Sequence, residues 1–229
     1  RARTLDPDVV GALHGLGEVA YMVANHPSLN VTNPDLGLAL AQFRAELEVH
    51  PDHGESHRDA GLIFYSWSHW RPAMEHLLEA ERCGIQDSRV LASIAHMSVD
   101  RDKVEGLAPV RVGGALIPVY EPTRALGYAE AALALNSADP NVLYFVADVM
   151  LVNDRWDTAI ELLQELMTIQ PWRSKELQGR VEAFRQNQRN KQVVPAVSEE
   201  AEEELEQQPE EEPASFSEIE LSTQGDETH

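Results

Sequence analysis

Apolar residues return every three or four positions along most of the chain up to residue 192. The runs are a dozen or so residues long and turn residues separate them. ALAQFRAELEV at 39–49, SRVLASIAHMSV at 88–99 and AIELLQELMTI at 159–169 are the clearest. That spacing puts the apolar side chains on one face of a helix and predicts a succession of short amphipathic helices. Two windows align without a gap. His57, Gly61, Phe64, Trp70, Ala73, Leu77 and Ala80 each sit 86 positions before Leu143, Ala147, Met150, Trp156, Ala159, Leu163 and Leu166. Pro171 follows the last apolar run and Pro51 follows an earlier one that carries Ala39 and Phe43 in register. A proline there stops a helix and turns the chain.

This order of large, small, aromatic, then alanine and a closing proline resembles the tetratricopeptide repeat. The resemblance implies an all-α solenoid of antiparallel helix pairs, A and B. Gly61 and Ala147 let helix B approach, and Ala73 and Ala159 are their small counterparts across each hairpin. Phe64, Leu77 and Leu163 fill the space between. Repeats of about 34 residues leave a surplus in the third unit. There Ala125 and Ala132 take the small positions of the B helix, and residues 100–122 form an insertion. The first unit, with Gly17 at its small position, has a stretched turn. Four units are read, at about 8–51, 52–85, 86–138 and 139–171. A capping helix follows at 172–192, with Leu177, Val181 and Phe184 on its apolar face.

The insertion breaks the helical pattern. Val110, Val112, Ile117, Val119 and Tyr120 are strand formers, Gly113-Gly114 is a hairpin-turn signal, and Pro118 restricts any strand to an edge. It is either a β-hairpin projecting toward a partner or a loop folded back over the repeats.

Charge changes the picture at the C-terminus. The chain of 229 residues carries a net charge of -21, and residues 193–229 hold 13 acids with no Lys or Arg. Such a tail cannot repay the entropy of ordering itself and is expected to be disordered. The remaining 26 acids and 18 bases offer no basic cluster for nucleic acid or for an anionic membrane surface. A basic protein surface or peptide remains a partner. Cys83 is the single cysteine, which excludes an intrachain disulfide and any CxxC motif. No run is long and apolar enough to span a bilayer. The chain opens Arg1-Ala2-Arg3-Thr4, without Met. The compartment therefore stays open between the cytoplasm and a location reached through an upstream signal or anchor.

No catalytic motif is present, and no enzyme activity, cofactor or metal is expected. His50, His53 and His57 invite a metal reading. The plainer one is a polar turn between repeats, with Asp52 as N-cap of the next helix. By the tetratricopeptide register, helix A of each unit lines the inner face. The resemblance places Tyr21, Arg58, Tyr65, His96, Tyr144 and Asp148 there as protein-binding residues, with Val110, Val112, Ile117, Val119 and Tyr120 of the insertion as a second contact. The Lys/Asn clamp some family members use for chaperone tails is absent, since Arg58, Leu62, Tyr144 and Asp148 occupy those positions. The function expected is a protein-interaction scaffold, a structural or assembly subunit of a larger complex. The other reading is a non-catalytic module of a longer enzyme or of a membrane-anchored assembly factor.

Overall fold

The periodic runs become helices in the computed structural model, which describes residues 9–24, 36–104 and 106–206. The stretched turn of the first unit falls largely at 25–35 and, like the tail from 207 onward, lies outside the described residues. The chain divides into two units, Arg1–Gln186 and Asn187–His229.

The first unit is a tetratricopeptide-like array of helical hairpins. Helices α1 (Ala12–Ala24) and α2 (Gly37–Val49) form the first pair, and α3 (Gly54–Ser66) and α4 (Trp70–Arg82) the second. The third pair is α5 (Ser88–Val99) and α7 (Pro122–Leu135), interrupted by the short α6 (Arg101–Val104). The fourth is α8 (Pro140–Val152) and α9 (Trp156–Ile169). A 3-10 turn at Pro171–Arg173 leads into α10 (Ser174–Glu206). Each hairpin packs on itself, and α2 on α3, α4 on α5, and α5 and α7 on α8 join one pair to the next. The described part of the second unit is the continuation of α10 to Glu206, past residue 192.

Local chemistry sets several helix starts. Asp87 accepts from the Arg89 and Val90 backbone N–H groups at the start of α5, and Asp139 accepts from the Asn141 N–H at the start of α8. Such caps contribute about 1 kcal/mol each. Pro122 and Pro140 occupy first-turn positions, where a missing N–H costs nothing. Helix α3 departs from expectation. Its N-cap is His53, whose Nδ1 accepts from the Ser56 N–H at 3.2 Å, while Asp52 pairs with Arg82 across the turn. The start of α1 is satisfied from another helix. Glu46 of α2, fully buried, accepts from the backbone N–H groups of Gly11, Leu13 and His14 at 2.7, 3.0 and 3.3 Å. Burial alone would raise its pKa, but those three bonds outweigh it and hold the carboxyl below its ordinary value.

The small positions are places of close approach. A Cβ on Gly61 would lie 2.6 Å from Cδ2 of Leu77, and one on Gly17 would lie 2.4 Å from Cε1 of Phe43. What Gly61 meets is thus Leu77, one turn beyond the Ala73 that the repeat pattern set opposite it. Ala73, Ala125, Ala132, Ala147 and Ala159 are all fully buried. Leu177, Val181 and Phe184 of α10 are buried in the same apolar cluster as α8 and α9. Each buried side chain of that size contributes about 1.5–3 kcal/mol.

The insertion is a two-stranded antiparallel hairpin, β1 (Val110–Val112) and β2 (Ala115–Ile117), with Val110 opposite Ile117 and Val112 opposite Ala115. Gly113 and Gly114 both have positive φ, +52° and +87°, the conformation a two-residue primed turn requires. Alternation along β1 sends Val110 and Val112 inward and Arg111 outward. Val110 and Val112, with Val119 beyond β2, are buried against Met74, Leu77, Leu78, Ile94 and Met97. Glu79 fastens the turn to α4 by accepting from the Gly113 N–H at 2.8 Å. The segment is therefore a hairpin and also lies folded onto the repeats. Val110, Val112 and Val119, expected at a partner surface, are core residues: period-2 alternation turned one face of β1 onto α4, and Val119, beyond β2, packs into the same cluster.

Candidate protein-binding site

The A helices α3, α5 and α8 bring four of the expected residues together. Tyr65 of α3 and His96 of α5 are joined by a 2.9 Å hydrogen bond between the phenol oxygen and Nδ1. Nε2 of His96 faces Oδ2 of Asp148 on α8 at 3.6 Å. With a proton on Nε2, toward the carboxylate, Nδ1 is left to accept from the phenol. The other carboxylate oxygen of Asp148 accepts from Arg180 of α10. Phe145 sits among these groups, its ring 4.9 Å from that of His96 and 5.4 Å from that of Tyr65. Tyr144 stacks beneath two guanidinium groups, with Arg180 at 4.4 Å and Arg173 at 4.9 Å from its ring centre. Burial, then the charge of Asp148, pushes the Tyr65 phenol well above its ordinary pKa. The phenol stays protonated and keeps its donor.

Tyr21 and Arg58 lie elsewhere on the A-helix side. They line a cleft of about 310 Å³ with Glu18, Met22, Leu62 and Arg89, at the small end for a ligand pocket. Arg58 is not free to swing: its Nε donates to Oδ1 of Asp59 at 2.7 Å, and Oδ2 of Asp59 bonds Nε2 of His14 at 2.9 Å. The bond to Asp59 raises the His14 pKa against its burial. Burial works to raise Asp59, but His14 and Arg58 together hold it below the usual carboxylate range. Tyr120 borders another recess, about 460 Å³, with Arg101, Leu107 and Pro118. Ile117 is half-buried against the hairpin's core, whereas Leu116 is 64% exposed. The expected residues thus fall in three places: a network on α3, α5 and α8, a cleft by α1 and α3, and the hairpin.

Sequence reasoning missed Phe145, Arg173 and Arg180. Phe145 directly follows Tyr144, and its neighbour's register hid it. Arg180 belongs to the polar side of α10, which periodicity reads only as a solvated face. The three histidines of the polar turn do not converge. His53 caps α3, His57 bonds Nδ1 of His76 at 2.9 Å and the Pro51 carbonyl at 2.9 Å, and His50 lies 3.8 Å from Glu46.

No family model matches the sequence, and no curated protein matches it. Solved structures do. One is YrrB, described as a TPR protein with an unusual peptide-binding site. It superposes with a TM-score of 0.55 at 16% identity, covering 80% of each chain. PilF of Pseudomonas aeruginosa superposes with a TM-score of 0.51 at 21% identity, covering 88% of this chain and 84% of its own. At such identities the likeness is one of fold, and the fold is that of a tetratricopeptide-like helical repeat.

Proposed function

We propose that this chain is a protein-interaction scaffold, a structural or assembly subunit that holds a peptide or protein segment along the A-helix face. The observation that carries the reading is the Tyr65–His96–Asp148 network with Tyr144 and Phe145 packed around it. Rigid aromatic rings with polar tips, held in place before binding, are the groups from which interface hot spots are built. Helical repeats supply such surfaces with little chemistry of their own, and no catalytic role is assigned to any residue here. The similarly folded YrrB, described as having an unusual peptide-binding site, adds support.

The charges on this face are largely matched among themselves. Arg58 pairs with Asp59, Arg89 with Asp139, Arg180 with Asp148 and Arg173 with Glu176. The net charge of -21 then draws a basic partner toward the chain, while aromatic contacts hold it. Residues 1–192 form the binding unit, and 193–229 are dispensable for its folding. Peptide display against a chain ending at Gln192 tests this. Selected peptides should lose about fivefold or more in affinity with each of Tyr21→Ala, His96→Ala and Asp148→Asn, a loss of about 1 kcal/mol or more per contact. Peptides indifferent to all three substitutions, in variants whose helical signal is unchanged, would place the interface elsewhere.

A further inference from the structure

We infer that His14, Glu18 and Asp59 form a binding site for a divalent first-row transition ion, linking α1 to α3. The three side chains offer one imidazole nitrogen and two carboxylate oxygens, all within 4.8 Å of one another. His14 and Glu18 are one helical turn apart on α1, so both project from the same face. Asp59 reaches them from α3. Two ligands on one ion, each with a bond of about 2.0–2.2 Å, stand about 2.8–3.1 Å apart at octahedral angles and about 3.3–3.6 Å apart at tetrahedral ones. Nε2 of His14 and Oδ2 of Asp59 are already 2.9 Å apart, so an ion enters between them with little rearrangement. Glu18 is exposed, and its carboxylate lies within 4.8 Å of the other two ligand atoms.

The surroundings favour this geometry. Arg58 donates to Oδ1 of Asp59, which turns Oδ2 toward His14, the kind of outer support that orients ligating carboxylates. The His14 backbone N–H is anchored on Glu46, and His14 is buried between Phe43 and His53, with ring centres 5.3 and 5.1 Å away. Its imidazole is therefore held in place. Glu18 and Asp59 line the 310 Å³ cleft, so the remaining coordination positions open to water. One nitrogen and two oxygens suit zinc, cobalt or manganese. An imidazole in the set disfavours magnesium and calcium, which take oxygen ligands. The Arg58 guanidinium costs affinity by repulsion, and the two ligand carboxylates offset it.

Calorimetric titration of Zn²⁺ into the full chain tests the site, with Co²⁺ absorption reporting the ligand set and hydrogen exchange following α1. One equivalent should bind, and the amides of α1 should gain protection. His14→Ala, Glu18→Gln and Asp59→Asn should each weaken binding by roughly tenfold or more. His57→Ala, in the other histidine cluster, should leave binding unchanged. Glu18→Gln is decisive because that exposed side chain does not hold the fold. Binding unaffected by Glu18→Gln, binding lost with His57→Ala instead, or no binding at millimolar Zn²⁺ would each overturn the assignment.

Discussion

Replacing Gly61 by alanine adds one methyl group where α3 meets α4. That methyl would lie 2.6 and 2.7 Å from Cδ2 and Cγ of Leu77 and 3.1 Å from its backbone nitrogen. Leu77 is fully buried, so its side chain has nowhere to retreat. The backbone nitrogen yields only if α4 moves. Overpacking of this kind costs about 1–3 kcal/mol, against a gain of about 1 kcal/mol from the better helix propensity of alanine. The net loss is at most about 2 kcal/mol and centres on about 1 kcal/mol, a fall in Tm of roughly 2–4 °C for a unit of this size. Gly127→Ala is the matched control. It too lies inside a helix, α7, but its Cβ would meet nothing within 4 Å. It should therefore gain up to about 1 kcal/mol. Thermal melts and denaturant titrations followed by circular dichroism read both. A further check truncates the neighbour: in a Leu77→Ala background the side-chain part of the Gly61→Ala penalty should disappear and only the 3.1 Å backbone approach remain, a coupling of about 1–2 kcal/mol. If Gly61→Ala melts at or above the parent temperature, or costs the same with Leu77 removed, the close approach of the two helices is not what the glycine serves.

Val110→Ala should destabilise the chain by about 2 kcal/mol, since it removes two buried methyl groups at about 0.8 kcal/mol each and leaves a small cavity. Leu116→Ala, on the exposed side of the same hairpin, should change stability by less than about 0.5 kcal/mol, and equal effects would contradict the packing of β1 on α4. Burial, then the neighbouring His57, holds the His76 pKa down to about 4, so between pH 6.5 and 4 the unfolded chain binds the proton and the folded chain does not. Stability is then fully present above pH 6.5 and falls as pH drops through that window, by on the order of 3 kcal/mol. Denaturation measured across it should show a slope that His76→Phe, which retains the stacking on Phe64, reduces, leaving the smaller part set by the shifted carboxylates and His14; a parallel slope in that variant would assign the whole loss to groups other than His76.

Helical periodicity, the 86-residue offset and the prolines at 51 and 171 determined the helical-hairpin architecture. These signals are local: a 3.6-residue period and a missing N–H act within a turn or two, wherever the segment ends up. The strand character of Val110, Val112 and Ile117 was legible for the same reason, as was the Gly113-Gly114 turn, while Val119 and Tyr120 fall beyond β2. What lay beyond the sequence was which side of the hairpin is covered, because alternation names two faces without saying which one meets α4. The same holds for Glu46. Nothing in AELEV marks a glutamate that caps a different helix, because the N–H groups it satisfies are more than thirty residues away in sequence. Arg180 reaching Asp148 and Tyr144, and Asp59 lying between His14 and Arg58, likewise depend on helices brought together by apolar burial. Burial is non-directional: it specifies that faces must meet, and only the assembled helices decide which polar groups at their edges become partners.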